Sequence, residues 1–304
     1  MIQTRILVGS VLALAAIGIL VGDGFLSPWF PCLFFCLMAA GLLAGHELVS
    51  LFPTQLRPSL LLVVLSILAC LAANWYPVVR GELGFGQAQA RSSSLEAFLA
   101  VFVVYVAVII LSFLVEMYRH QGPGHAVARL SSTLLAVSYL GVLPCFFTQI
   151  RFLPTTNTGL LLATTILVPK LNDVAAFFTG TFIGRHRMTP LLSPKKTWEG
   201  FAGGMLGSIA AACGMTLLGE SLGKPLFPAG LPEAVVFGLA VGVAGVLGDL
   251  AESLIKRDCL IKDASKRIPG FGGLLDVVDS VLFAAPVAFL WFFLRSPQQF
   301  ISLQ

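Results

Sequence analysis

Residues 97–115 read AFLAVFVVYVAVIILSFLV, an apolar run without a single charge. A helix that is apolar on every face belongs in the core of a large protein or in a membrane. About twenty such residues, at 1.5 Å rise each, cross the hydrocarbon layer of a bilayer. Further windows of the same kind follow the same rule, at 6–22, 30–50, 59–76, 131–149, 159–183, 200–218, 234–252 and 276–294, making about nine in all. The whole chain agrees: 57% of its 304 residues are hydrophobic and 11% are charged. A soluble domain carries about 25% charged residues. The expected fold is therefore all-α, a polytopic membrane protein with about nine transmembrane helices. The first window follows Arg5 as a signal peptide would, but its length and the closeness of the second predict a retained helix.

Lys and Arg in the loops set orientation. With nine spans, Arg5, Arg57, Arg119, Arg129, Arg185, Arg187, Lys195, Lys196, Lys256, Arg257, Lys262, Lys266 and Arg267 share one side. Arg80, Arg91, Arg151, Lys224 and Arg295 fall on the other. The bias predicts that loops six and eight, which hold 185–196 and 256–267, face the cytoplasm. Of the six cysteines, five lie in apolar windows and none forms a CxxC pair. They read as packing residues rather than metal ligands.

Two regions are expected, 1–160 as an N-terminal hydrophobic multi-span region and 161–304 as a C-terminal catalytic one. The first is built mostly of Leu, Val, Ala and Phe, whereas the second is Gly-rich and carries charge at membrane depth. Glycines four apart, such as Gly41/Gly45, Gly203/Gly207 and Gly238/Gly242, predict close helix packing.

Three polar clusters lie in the second region. Lys170 and Asp173 are three apart on one helical turn and can pair. Two readings stand for them: a buried structural ion pair, or a polar site lined by Asp173. In SPKKTWEG, residues 193–200, Ser193 suits a helix N-cap and Pro194 the first helical position. Lys195 and Lys196 would then fall in the first turn, where cations oppose the helix dipole unless an anion sits there. The stretch, with Thr197 and Glu199, therefore reads as a phosphate site, against simple positive-inside flanking charge.

The third cluster runs from Gly248 through SLIKRDCLIKDASKRIPGFGGLLDVVD, residues 253–279. Asp249, Glu252, Ser253 and Lys256 share one helix face. Asp276 and Asp279 share another at the start of the last span, and a loop folding back can bring Asp249 near Asp276. Mg²⁺ prefers one or two carboxylates plus substrate phosphates. Five cations between Lys256 and Arg267 offset Asp258 and Asp263, and Gly270, Gly272 and Gly273 allow a sharp turn close to a ligand. Carboxylates, cations and membrane depth together point to phosphoryl or nucleotidyl transfer to a lipid.

The third cluster resembles the signature of the phosphatidate cytidylyltransferase (CDP-diacylglycerol synthase) family. Ser253, Lys256, Arg257, Lys262, Asp263, Ser265, Ile268, Pro269, Gly272, Gly273, Leu274, Asp276 and Asp279 fit it without a gap. SPKKTWEG resembles a second family motif, and Asp173 with Ala176, Phe177 and Gly180 resembles a third. The likeness spans roughly 165–280. Phe271 stands where the family has histidine and Val277 where it has arginine.

The resemblance implies that CTP and phosphatidic acid give CDP-diacylglycerol and pyrophosphate in phospholipid biosynthesis. It places Mg²⁺ on Asp249 and Asp276, with a second cation left open. Asp279, Lys256, Lys262 and Asp263 would join in catalysis. Ser193, Lys195, Lys196, Thr197, Glu199, Ser253, Arg257, Gly272, Gly273 and Asp173 would bind substrate or phosphate. The partners would be CTP, phosphatidic acid and membrane lipids, without nucleic acid, in a bacterial inner membrane. A homodimer is compatible with the sequence. A CTP-dependent polyprenol-type kinase remains an alternative reading, as does a degenerate non-catalytic paralogue, which the two departures motivate.

Overall fold

The computed structural model describes residues 18–20, 22–82, 93–120, 122, 124–153, 155, 157–261, 264–265 and 272–295. Lys262, Asp263 and Phe271, and most of the window 6–22, lie outside the described residues. A short 3₁₀ turn, Asp23–Leu26, precedes α1 (Pro31–Leu51), α2 (Leu60–Ala73), α3 (Tyr76–Glu82), α4 (Ser93–Arg119) and α5 (Ala126–Val137). A π-helical turn, Ser138–Val142, joins α5 to α6 (Leu143–Arg151). Then come α7 (Thr158–Ile183), β1 (Arg187–Thr189), β2 (Ser193–Thr197), α8 (Trp198–Ser221), α9 (Leu231–Asp258) and α10 (Leu275–Arg295).

The all-α expectation holds, and the protein is an integral membrane protein. Among the described residues, seven helical segments are long and apolar enough to cross a membrane: α1, α4, the continuous α5–α6, α7, α8, α9 and α10. The window at 59–76 instead forms the 14-residue α2. The π turn lies just ahead of Pro144, whose ring and missing N–H disturb α-helical bonding to the preceding turn.

Two compact units form. One comprises Met1–Phe152 with Asp258–Val277, the other Leu153–Arg257 with Val278–Gln304. In the first, Gly41 and Gly45 let α1 close on α2. A Cβ on Gly45 would come within 2.9 Å of the Ile67 side chain. Cys70 and Cys145 are buried there as free thiols, and Cys145 Sγ donates to the Gly141 carbonyl. In the second, the expected glycine pairs do the same work at backbone range. Gly203 and Gly207 of α8 abut Thr179, Ala175 and Leu171 of α7, and Gly238 and Gly242 of α9 abut Ser208 of α8. Lipid offers apolar side chains no gain on association, so such close approach is what holds helices together there.

The expected helix start at Ser193 is corrected. Residues 193–197 are extended and pair antiparallel with β1, Arg187 opposite Thr197 and Thr189 opposite Ser193. The N-cap is Thr197, whose backbone is extended and whose Oγ1 accepts from the Gly200 N–H at 3.1 Å. Pro194 is tolerated in this two-stranded hairpin because each strand is an edge. Lys195 and Lys196 therefore precede the helix and never enter its first turn. Glu199 does, where a negative charge suits the dipole. Thr197→Val keeps the shape and removes the cap. It should cost about 1 kcal/mol, measured as a lower unfolding midpoint in detergent; an unchanged midpoint would contradict the cap assignment.

Candidate active site

Glycines bring the site's helices together in the second unit. Gly245 of α9 packs on Pro169 of α7, and Gly248 lies against the Asp279 backbone of α10. The residues beside these contacts are charged. Lys170 and Asp173 come from α7, Asp249, Glu252 and Lys256 from α9, Asp279 and Ser280 from α10, and Lys196 from β2.

One ligand oxygen each from Asp249, Glu252 and Asp279 can be chosen so that all lie within 4.8 Å of one another. Carboxylates this close repel unless cations stand among them. A different lysine meets each: Lys196 Nζ is 2.7 Å from Asp249, Lys256 Nζ 2.8 Å from Glu252, and Lys170 Nζ 3.7 Å from Asp279. Lys170 also lies 3.6 Å from Asp173, the pair expected from the sequence. Ser280 ties these together, since its Oγ accepts from Lys170 at 2.8 Å and donates to Asp173 at 3.2 Å. The Glu252 side chain is 1% exposed and that of Asp249 31%, so the cluster runs from a sealed end to an accessible one.

This donor set fits a hard divalent cation, which takes carboxylate oxygens and completes its shell with water and substrate phosphate. Asp173, Asp249, Glu252 and Asp279 supply four negative charges against three from Lys170, Lys196 and Lys256. The cluster is thus acidic overall. A divalent ion makes it positive, and so able to receive a polyphosphate.

Of the other sequence candidates in this unit, Lys195 is exposed and Ser253 buried. Glu199 accepts from the Arg185 and His186 backbone N–H groups, which fixes the turn into β1. Arg257 Nε donates to the Leu192 carbonyl at 3.1 Å and so ties the β1–β2 turn to α9.

Asp276 belongs to the first unit. Its Oδ2 accepts from Gly273 N–H at 2.6 Å and Ala264 N–H at 3.3 Å. The Gly273 bond runs back from the first helical turn, as a capping-box carboxylate does. Gly272 has φ +101°, a conformation that favours glycine, and a Cβ there would meet Asp276 Oδ2 at 2.6 Å. Val277 is half-buried in the first turn of α10.

Sequence reasoning left three residues of the cluster unassigned. Glu252 was on the right helix face, and Lys170 was paired with Asp173 without a site role. Ser280 gave no signal, because a serine in an apolar helix is ordinary.

The architecture and the cluster together define an integral membrane protein with a carboxylate–lysine site suited to a cation and phosphates. The sequence profile of the cytidylyltransferase family matches residues 3–295, and the chain belongs to that family. It is 29% identical to a phosphatidate cytidylyltransferase of Thermotoga maritima, over 83% of this chain and 84% of that one. It is 37% identical to the chloroplastic phosphatidate cytidylyltransferase 4 of Arabidopsis thaliana, over 62% and 50%. An uncharacterized protein of Escherichia coli, YnbB, is 39% identical over 47% and 46%. The chain spans about half the length of these last two relatives.

Proposed function

We propose that the protein transfers the cytidylyl group of CTP to phosphatidic acid, giving CDP-diacylglycerol and pyrophosphate for phospholipid synthesis. The observation that carries this reading is the cluster of Asp249, Glu252 and Asp279, each with its own lysine, in a chain of the cytidylyltransferase family.

In the reaction a phosphate oxygen of the lipid attacks the α-phosphorus of CTP. The bond from that phosphorus to the oxygen bridging to the β-phosphate breaks, and pyrophosphate leaves with the electron pair. The attacking oxygen is already anionic, so the residues mainly position the reactants and neutralise charge. Asp249 is the central cation ligand of the proposal. Glu252 and Asp279 stand with it, and Asp276, one turn before Asp279 on α10, is the further ligand that the resemblance implies. Bound Mg²⁺ would screen the triphosphate and polarise its α-phosphoryl group; a second cation is part of the same proposal. Lys196 is placed to exchange Asp249 for a substrate phosphate, with Lys195, Lys256, Arg257 and Lys262 as further phosphate-binding groups. The proposed setting is a bacterial inner membrane with 185–196 and 256–267 in the cytoplasm, where CTP is, in a monomer or homodimer.

The test is the full chain in lipid nanodiscs with CTP, Mg²⁺ and either phosphatidic acid or, in a parallel reaction, a polyprenol, read by mass spectrometry. CDP-diacylglycerol and pyrophosphate are expected. A phosphorylated lipid with CDP would instead make the protein a CTP-dependent kinase. No turnover of any lipid phosphate, where a T. maritima control works, would make it non-catalytic and sink the proposal.

A further inference from the structure

Glu47 lies in α1, within an apolar helix, and is 2% exposed. A carboxylate at such a position is costly unless hydrogen-bonded. Two of its donors come from residues more than two hundred positions away, at the two ends of the Gly-rich stretch. Ser265 Oγ donates to Glu47 Oε1 at 2.8 Å, and the Leu275 N–H donates to Oε2 at 3.1 Å. Gly273 lies on the same carboxylate: a Cβ there would come within 2.6 Å of Oε2. Asp276 holds the same two ends through Ala264 and Gly273.

Leu275 is the first residue of α10. Its N–H is one of the four that a helix start leaves without an intrahelical acceptor, and a carboxylate there suits the dipole. The helix so anchored carries Asp276 in its first turn and Asp279 in its next. We infer that Glu47 is a positioning residue for the reaction. By gripping Ser265 and Leu275 it fixes the first turn of α10, and with it the aim of the Asp276 carboxylate. This gives the N-terminal helices a part in the chemistry, and it rests on the function proposed above.

The test uses the full chain in nanodiscs as wild type, Glu47→Gln and Ser265→Ala. Glu47→Gln keeps the shape but sets an amide N–H₂ against one of the two donors. Amide hydrogen exchange of the peptide covering 264–280 should speed up, with exchange across 158–183 unchanged. The kcat should fall about 10–100-fold, the scale of a misplaced catalytic group. The Mg²⁺ concentration for half-maximal rate should rise, while KM for phosphatidic acid stays within about twofold. Ser265→Ala removes one bond and should shift exchange and Mg²⁺ requirement the same way by less. Should Glu47→Gln not fold, the serine variant decides alone.

Unchanged exchange over 264–280, or unchanged kcat and Mg²⁺ requirement in a folded variant, overturns the inference. Faster exchange everywhere, with a lower unfolding midpoint and no change in Mg²⁺ requirement, also overturns it, because the role is then structural only. A wild type without transferase activity sinks the function instead, and the exchange arm still decides whether Glu47 holds the segment.

Discussion

Asp249→Asn is expected to lower cytidylyl transfer by about 10³-fold, at the upper end of what removing one electrostatic contact costs an active site. The change is isosteric and deletes one charge. It removes the most exposed member of the three-carboxylate cluster, the one most open to an incoming ion. It also leaves the Lys196 ammonium, 2.7 Å away, without its anion. Stability should barely move, since both side chains are partly exposed (23% and 31%), and such pairs contribute about 0–1 kcal/mol. The signature is therefore lost activity at an unchanged unfolding midpoint, with partial recovery at high Mg²⁺. More than a tenth of wild-type activity at ordinary Mg²⁺ would remove Asp249 from the cation site. Asp276→Asn and Asp279→Asn, assayed alongside, rank the two aspartates of α10. A larger Mg²⁺-dependent loss at Asp279 would favour the cluster of the second unit, and a larger loss at Asp276 the assignment that the resemblance implies.

The transmembrane helices were legible because apolar run length translates directly into span length. The seven helices at 30–50, 97–115 and beyond needed nothing else. The Lys170–Asp173 pair was legible for a similar reason, since spacing of three on a helix fixes proximity. The error at Ser193 came from a local rule overridden by pairing. Ser-Pro is a good helix start, but Thr197 is also a valid cap four residues on, and the strand Arg187–Thr189 takes up the residues between. Local sequence cannot rank two valid caps when a partner strand decides. Contacts at long sequence separation were the least legible. Nothing in LAGHELVS, residues 43–50, says that Glu47 meets Ser265. A buried acid in an apolar helix does say that some partner must exist. That signal was available and lacked only an address.

Gly248→Ala should lower activity about 10²-fold, although it adds one methyl group and touches no substrate. A Cβ at 248 would fall on the carbonyl oxygen of Asp279 and lie 3.1 Å from the Phe283 Cβ. The first obstacle is helix backbone, so it cannot rotate aside as a long side chain would. The two helices must part, and overpacking of this kind costs about 1–3 kcal/mol. The functional cost is larger because of where the methyl sits. Asp249 is the next residue on α9, and Asp279 is the residue struck on α10. Separating them pulls apart two of the three carboxylates that converge within 4.8 Å. A displacement near 1 Å in an active site costs about 10²-fold in rate, and the Mg²⁺ requirement should rise with it. Gly214→Ala is the control. Gly214 lies in α8 with nothing within 4 Å of an added Cβ. It should leave activity intact and the midpoint equal or higher, since alanine favours helix over glycine by about 0.5–1 kcal/mol. Comparable losses in both variants would mean that the sequence tolerates no added methyl in these helices, and that the α9–α10 approach has no special part in setting the carboxylates.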